Sequence, residues 1–394
     1  MSTIVTVADA AQFLSLVPRL LGYTPSRSIV LVPMADGRSA GAMRVDLPPG
    51  DDPGTVDPVA STIVGMMCRI AAVDAFVVIV YTDAGVSTDG GALPHAALVE
   101  ALSRCAEASG IRVVDALTVG ADGWGSHLDA GSSDLGSGPQ VRPLDELLTT
   151  TAPPVRGDQA SGAELPPSSA ALREAVSTAL RSLRASLELI CGVPATDDAE
   201  GYDGDDQAAA DEPDKRDRRI DPQALAAACE LDDLPRLYER ALGWDAGWLR
   251  PLDVALLAWC LARPALRDVA LVQWSGDVVR GEDALEAQRR WEDVGADYPS
   301  DLASVLWGEG PRPDPARLER ALELCRRVAT ASPVEQRAGA LAACAWVSWA
   351  LGRSTHADRY AAMAHEIDDE HGLAAIVRSF VTAGHLPDWA FRGR

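Results

Sequence analysis

Three groups of residues carry types suited to chemistry. The first is Thr24-Pro25-Ser26-Arg27-Ser28, which sets three hydroxyls and a guanidinium within five positions. Those are the materials of an anion cradle. The second is Ser28 with Arg44 and Asp46, a candidate polar cluster of hydroxyl, cation and carboxylate. The third is Tyr81, Thr82 and Asp83 with Asp122 and Trp124, which offers carboxylates, hydroxyls and an aromatic ring to a small-molecule ligand.

A phosphate cradle needs glycines followed by a helix whose first N–H groups point at the anion. Here the polar knot precedes an apolar run, and only Gly22 is near. Neither the Walker spacing nor G-x-G-x-x-G after a strand occurs. The knot therefore reads as a helix-to-strand corner. Pro25 restricts Thr24 to extended geometry, and the serines can bond backbone groups freed at the helix end.

Nucleophilic catalysis finds little support, because no G-x-S-x-G elbow is present. The six histidines are His95, His127, His356, His365, His371 and His385, and no two stand at the i, i+4 spacing of a zinc helix. Of these, His127 stands nearest in sequence to Asp122 and Trp124. The seven cysteines are scattered singly without a C-x-x-C pair, which fits reduced thiols rather than a metal or disulfide framework. No catalytic residue, metal ligand or cofactor is assigned.

These residues need elements to position them. Residues 8–21 place Phe13, Leu14, Val17, Leu20 and Leu21 at helical spacing, interrupted by Pro18 and stopped at Gly22. Ser28 to Met34 reads as a buried strand, Asp36-Gly37 as a turn, and Ala42 to Leu47 as the returning strand of a hairpin. A helix over 55–72, a strand over Ala75–Asp83, a helix over 93–108 and a strand over Ile111–Val119 follow. This order predicts an α/β domain with a mixed sheet and helices on its faces. Right-handed crossovers make the strands at Ile29, Phe76 and Ile111 parallel. On that layout Asp46 and Arg44 lie beside Ser28 at one end of the sheet. Asp83 lies at the other end with Asp122 and Trp124, where open α/β sheets take ligands.

Residues 130–167 are rich in Gly, Ser, Pro and Asp, and a helix is expected from Ser169 to Ile190. Residues 193–219 are acidic and poor in bulky apolar types, so they read as a solvated linker. From Ile220 onward, helix follows helix, and nine of the ten tryptophans lie there. The expected domains are an α/β domain over 1–192, the linker, and an all-α domain over 220–394. Within the latter, Ala340 to Gly372 resembles the second half of a tetratricopeptide repeat, with small residues where two antiparallel helices approach. Cys344 and Ala345 stand where that repeat usually has Leu and Gly.

The net charge is −23, which repels phosphate backbones and argues against nucleic acid as a partner. Lys215 is the only lysine, and the arginine-dominated cation set resembles the codon bias of a GC-rich genome. No apolar run reaches the ~18 residues of a membrane span. The first residues carry no secretory signature, so a cytoplasmic location is expected.

Several phrases together carry a family likeness: LVPRLLGYTPSRSIVLV from Leu16, RVDLP from Arg44, VVIVYTD from Val77 and VVDALTVGADGWGS from Val113. They resemble an actinobacterial family known as domain of unknown function 4192. The stretch Ala340 to Ala374 is similar to that family's closing helices. The family usually has a second aromatic after the position of Trp124 and then a Cys- and Pro-containing segment; here that region reads GWGSHLDAGSSDLGSGP, with no cysteine. The resemblance implies the two-domain layout and a cytoplasmic setting, and it transfers no activity.

Two functional expectations follow. The first is a non-enzymatic interaction or scaffold protein whose TPR-like helical domain binds a protein or peptide. The second is a small-molecule-binding protein or enzyme with its pocket at Tyr81, Thr82, Asp83, Asp122 and Trp124.

Overall fold

The computed structural model of the chain describes residues 9–86, 92–129, 140–148, 155–192 and 220–392. The expected linker, 193–219, lies outside them. The chain divides into two compact units, residues 1–162 with 390–394, and residues 163–389.

The first unit opens with α1 (Ala10–Leu21), capped by the Asp9 side chain on the Gln12 N–H and closed by Gly22 in the left-handed region at φ 83°. The helix runs through Pro18 to Leu21. Strands β1 (Ser28–Ala35), β2 (Arg38–Ser39) and β3 (Met43–Asp46) follow. Then come α2 (Pro53–Cys68), β4 (Ala75–Tyr81), α3 (Ala96–Ala108), β5 (Arg112–Val119) and β6 (Trp124–Ser126). One mixed sheet holds all six strands in the order β2-β1-β4-β5-β6, with β3 also on the outer edge of β1.

The sheet corrects the expected strand directions. β4 and β5 are parallel, but β1 and β4 are antiparallel, with Ser28 opposite Tyr81 and Met34 opposite Ala75. The reason lies in the hairpin. β3 returns antiparallel to β1, pairing Asp46 with Ser28. The helical crossover through α2 therefore leaves from β3, not from β1. It makes β4 parallel to β3, and β1 lies between them with the opposite direction. The start of β1 and the end of β4 thus share one end of the sheet, whereas the layout expected from sequence puts them at opposite ends.

Strand alternation gives the sheet two faces. Val30, Val32, Val77, Ile79, Tyr81 and Leu117 join Leu14 and Val17 of α1 and Trp124 in one core. Full burial of Leu14 and Val17 contributes about 1.5–3 kcal/mol each. The alternate set, Ile29, Leu31, Val78 and Val80, is buried on the opposite face, where α3 packs along β5.

Among the described residues, the second unit has helices as its only regular elements. It comprises α4 (Ala170–Cys191), α5 (Pro222–Cys229), α6 (Leu234–Ala241), α7 (Pro251–Leu261), α8 (Pro264–Ser275), α9 (Val278–Val294), α10 (Ser300–Leu306), α11 (Pro315–Ala331), α12 (Ala338–Ala350), α13 (Ser354–His365) and α14 (Gly372–Thr382). The α4 helix, which the sequence joined to the α/β domain, packs on α5 and α7 in this unit. Its stripe Val176, Leu180, Leu183 and Leu187 belongs to the helical core. An amphipathic stripe reports that a helix is covered, not by which neighbour. In α12 every residue is buried, and this helix packs against α13, α11 and α14.

Candidate functional site

At the carboxyl ends of β4 and β5 the first unit forms a half-open cavity of about 550 Å³. Its apolar wall comes from Leu14 and Pro18 of α1, Val119 of β5, and Leu144 and Leu147 of the 3-10 turn Leu144–Leu148. Its polar rim is the knot Thr24 to Arg27, facing Thr82 and Asp83, with Arg19 from α1.

The antiparallel pairing of β1 with β4 creates this meeting. Tyr81, Thr82 and Asp83 line the cavity, and their neighbour is the knot, which the sequence layout puts at the far end. Arg27 Nε lies 3.9 Å from the Asp83 carboxylate. Tyr81 is buried, and burial pushes its phenol pKa up well beyond the ordinary value, so it presents a neutral ring to the cavity.

The knot is held by bonds from outside itself. The Thr24 N–H donates to the Gly157 carbonyl at 2.9 Å. The Ser26 N–H donates to Gln159 Oε1 at 3.1 Å, and Gln159 Nε2 returns a bond to the Ser26 carbonyl at 2.9 Å. The Leu47 N–H donates to the Arg27 carbonyl at 3.1 Å. Between these anchors Arg27 takes a left-handed backbone at φ 45°, a conformation that costs roughly 1–2 kcal/mol for a residue with a Cβ.

Ser28, Arg44 and Asp46 do form one cluster. Arg44 Nε donates to Ser28 Oγ at 2.7 Å, Arg44 Nη2 donates to Asp46, and Ser28 Oγ donates to the Ser26 carbonyl at 2.7 Å. The Arg44 side chain is 7% exposed and that of Asp46 78%. Tyr23 stands by this cluster. Burial raises its pKa, against the nearby Arg44 charge, which lowers it. The cluster secures the first residue of β1 beneath the knot.

Asp122 and Trp124 occupy other places. The Asp122 carboxylate accepts the Val86 N–H at 2.6 Å and so fastens the β4 loop. Trp124 is 1% exposed and packs in the core beneath the cavity. Its backbone pairs with Arg142 through bonds of 2.9 and 2.8 Å, and the Arg142 guanidinium sits 5.0 Å from its ring centre. Through that pairing it holds the segment that carries Leu144 and Leu147 to the cavity. The end of β5 is tight as well. A Cβ at Gly120 would stand 2.4 Å from the Ala84 carbonyl oxygen.

Two histidines cluster on the other face of the sheet. His95 Nε2 lies 3.2 Å from Thr82 Oγ1, and His127 Nε2 lies 2.8 Å from Thr118 Oγ1. His95 precedes α3 with a left-handed backbone at φ 62°. Burial lowers both pKa values, that of His127 to about 4, while Asp115 and Asp51 pull it upward. Both imidazoles are neutral at pH 7. Thr82 touches both the cavity and His95, a link that no spacing in the sequence announces. Arg27, Arg19 and Gln159 were also absent from the sequence-derived pocket. Only the strand direction reveals Arg27, and Gln159 comes from a stretch read as irregular.

Among the described residues no group of three or more His, Cys, Asp or Glu side chains is placed to hold a metal ion. The described helices include none long and apolar enough to cross a membrane.

No curated protein and no solved structure matches the chain. The sequence profile of the family described as Domain of unknown function (DUF4192) matches residues 11–305. The matched stretch takes in the described elements of the sheet, the knot and every lining residue of the cavity. It ends before α11, so the likeness at Ala340 to Ala374 falls beyond it. With that profile spanning most of its length, the chain belongs to the DUF4192 family.

Proposed function

We propose that the α/β unit binds a small organic molecule in the cavity at the ends of β4 and β5. The observation that carries this reading is the knot. A preorganised polar rim, pinned by Gln159 and Gly157, stands over an apolar cavity of about 550 Å³. Small-molecule sites are typically concave and largely apolar, with a few convergent polar groups. Their place in α/β sheets is outside the carboxyl ends of parallel strands. The seven cysteines stand as free thiols, which suits a reducing, cytoplasmic setting.

The test is a thermal-shift screen of the full chain against small amphipathic metabolites, run beside Leu147→Trp, which fills the cavity. A ligand at about 100 times its Kd adds about 2.7 kcal/mol of stability. That gain should vanish in Leu147→Trp. A screen in which no compound shifts the wild type, or every shift survives in the variant, removes the reading.

The interaction-protein reading has its own support in the helical unit. Trp248 is 84% exposed, and Trp291 and Trp307 are more than half exposed. Aromatic residues of this kind are enriched at protein interfaces. Under this reading the buried α12 and its neighbour α13 form the TPR-like core of the unit, and the exposed tryptophans mark its protein- or peptide-binding surface. Capture of a stoichiometric partner by the wild-type chain, lost in Trp248→Ala or Trp291→Ala, would favour it.

A further inference from the structure

We propose that the ligand of this cavity is an organic carboxylate, with its apolar body against Leu14, Val119 and Leu147 and its head at Arg27. This inference rests on the small-molecule reading above and names the chemical class that the site selects.

Charge is the first observation. The whole chain carries −23, yet the charged residues lining the cavity are Arg19, Arg27 and Asp83. The balance is reversed here. In a protein whose general field repels anions, a local excess of guanidinium selects for a negative group.

Strain is the second. Arg27 keeps a left-handed backbone although its side chain is 74% exposed. Its own packing therefore does not offset the conformational cost. The bonds at Thr24, Ser26 and the Arg27 carbonyl impose the geometry instead, and the guanidinium stands beside Asp83, which lines the cavity with it. Strain of this kind concentrates at ligand clamps.

The third observation is the nature of the Arg27–Asp83 pair. At 3.9 Å, with Asp83 76% exposed, it is an open, solvent-screened contact of the kind that adds little to stability. Asp83 sets a carboxylate in the counter-ion position of Arg27 without closing a hydrogen bond. A ligand carboxylate can take that position with the two-pronged geometry that guanidinium favours, while its body displaces water from the apolar wall. Asp83 then acts as a competitor, and its removal should tighten binding.

The experiment is isothermal titration of the full-length protein with octanoate and with octanamide, its neutral counterpart, at low salt. Octanoate is expected to bind the wild type about tenfold more tightly than octanamide, as one charge-assisted hydrogen bond would give. Asp83→Asn should tighten octanoate several-fold and leave octanamide unchanged. Arg27→Gln should abolish the preference, with an unaltered denaturation midpoint showing that the variant is folded. Equal binding of acid and amide, an Asp83→Asn that weakens octanoate, or silence of both probes overturns the carboxylate assignment. The cavity reading is judged separately by whether ligands found in the screen are lost in Leu147→Trp.

Discussion

Arg27 and Asp83 face one another across 3.9 Å because β1 runs against β4, with Ser28 opposite Tyr81. Fifty-odd residues of hairpin, helix and strand separate them in sequence. The reversal of β1 turns what read as a structural corner at one end of the sheet into the rim of the cavity at the other.

Glycine at position 27 should stabilise the fold. The left-handed φ of 45° costs roughly 1–2 kcal/mol with a side chain present, while glycine loses about 0.5–1 kcal/mol of unfolded-state entropy. Arg27→Gly is therefore expected to gain up to about 1 kcal/mol in urea denaturation. A clear loss would refute backbone strain at this residue.

The Ser28, Arg44 and Asp46 cluster should respond asymmetrically. Arg44→Met removes a nearly buried guanidinium and leaves Ser28 Oγ without its donor, a loss of about 2 kcal/mol. Asp46→Asn touches a carboxylate that is mostly in water and should change stability by under ~1 kcal/mol. Equal effects in chemical denaturation would mean that burial does not govern the cluster.

Stability should fall in acid through His127. Its folded pKa of about 4 lies below the unfolded value of about 6.5. Between these values the unfolded chain holds the extra proton. The contribution of His127 is complete above about pH 6.5 and is lost as pH falls through 4, by about 2 kcal/mol after allowance for partial exposure. Denaturation of wild type and His127→Gln at pH 7 and pH 4.5 checks this. The wild type should lose more on acidification. His95 shifts in the same direction, so His95→Gln/His127→Gln should flatten the response further.

In the helical unit, Gly339 and Gly372 should behave oppositely. A Cβ at Gly339 would stand 2.2 Å from the Leu261 carbonyl oxygen and 2.8 Å from Ala262 Cα. Backbone cannot yield there without parting α12 from α7, so Gly339→Ala should cost about 3 kcal/mol or more. Nothing lies within 4 Å of a Cβ at Gly372, where alanine should be neutral or gain up to ~1 kcal/mol. Melting of the two variants decides it.

The sequence made the elements legible and hid their partners. Continuous apolar runs marked β1 and β4, and Gly22 marked the end of α1, because such signals are local. Whether β1 is parallel to β4 depends on which hairpin strand feeds α2, and no single residue records that choice. Trp124 read as a pocket aromatic, yet the antiparallel pairing of Val119 with Trp124 gives it the facing of the α1-side core. Gln159 could not be found, since its role is fixed by a contact with Ser26 across 133 positions. The α4 helix showed its stripe but not the helices that cover it.

Phe391 lies in the first unit, where the Arg69 guanidinium sits 4.0 Å from its ring centre. More than three hundred residues separate the two, including the whole of the helical unit. A ribosome making this chain releases the sheet and both its flanking layers long before it releases Phe391. The α/β unit therefore waits for its final piece through the synthesis of another unit. Contacts of such sequence separation are slow to close, so the α/β unit is expected to mature in two stages, and a chain truncated between the units would stop at the first.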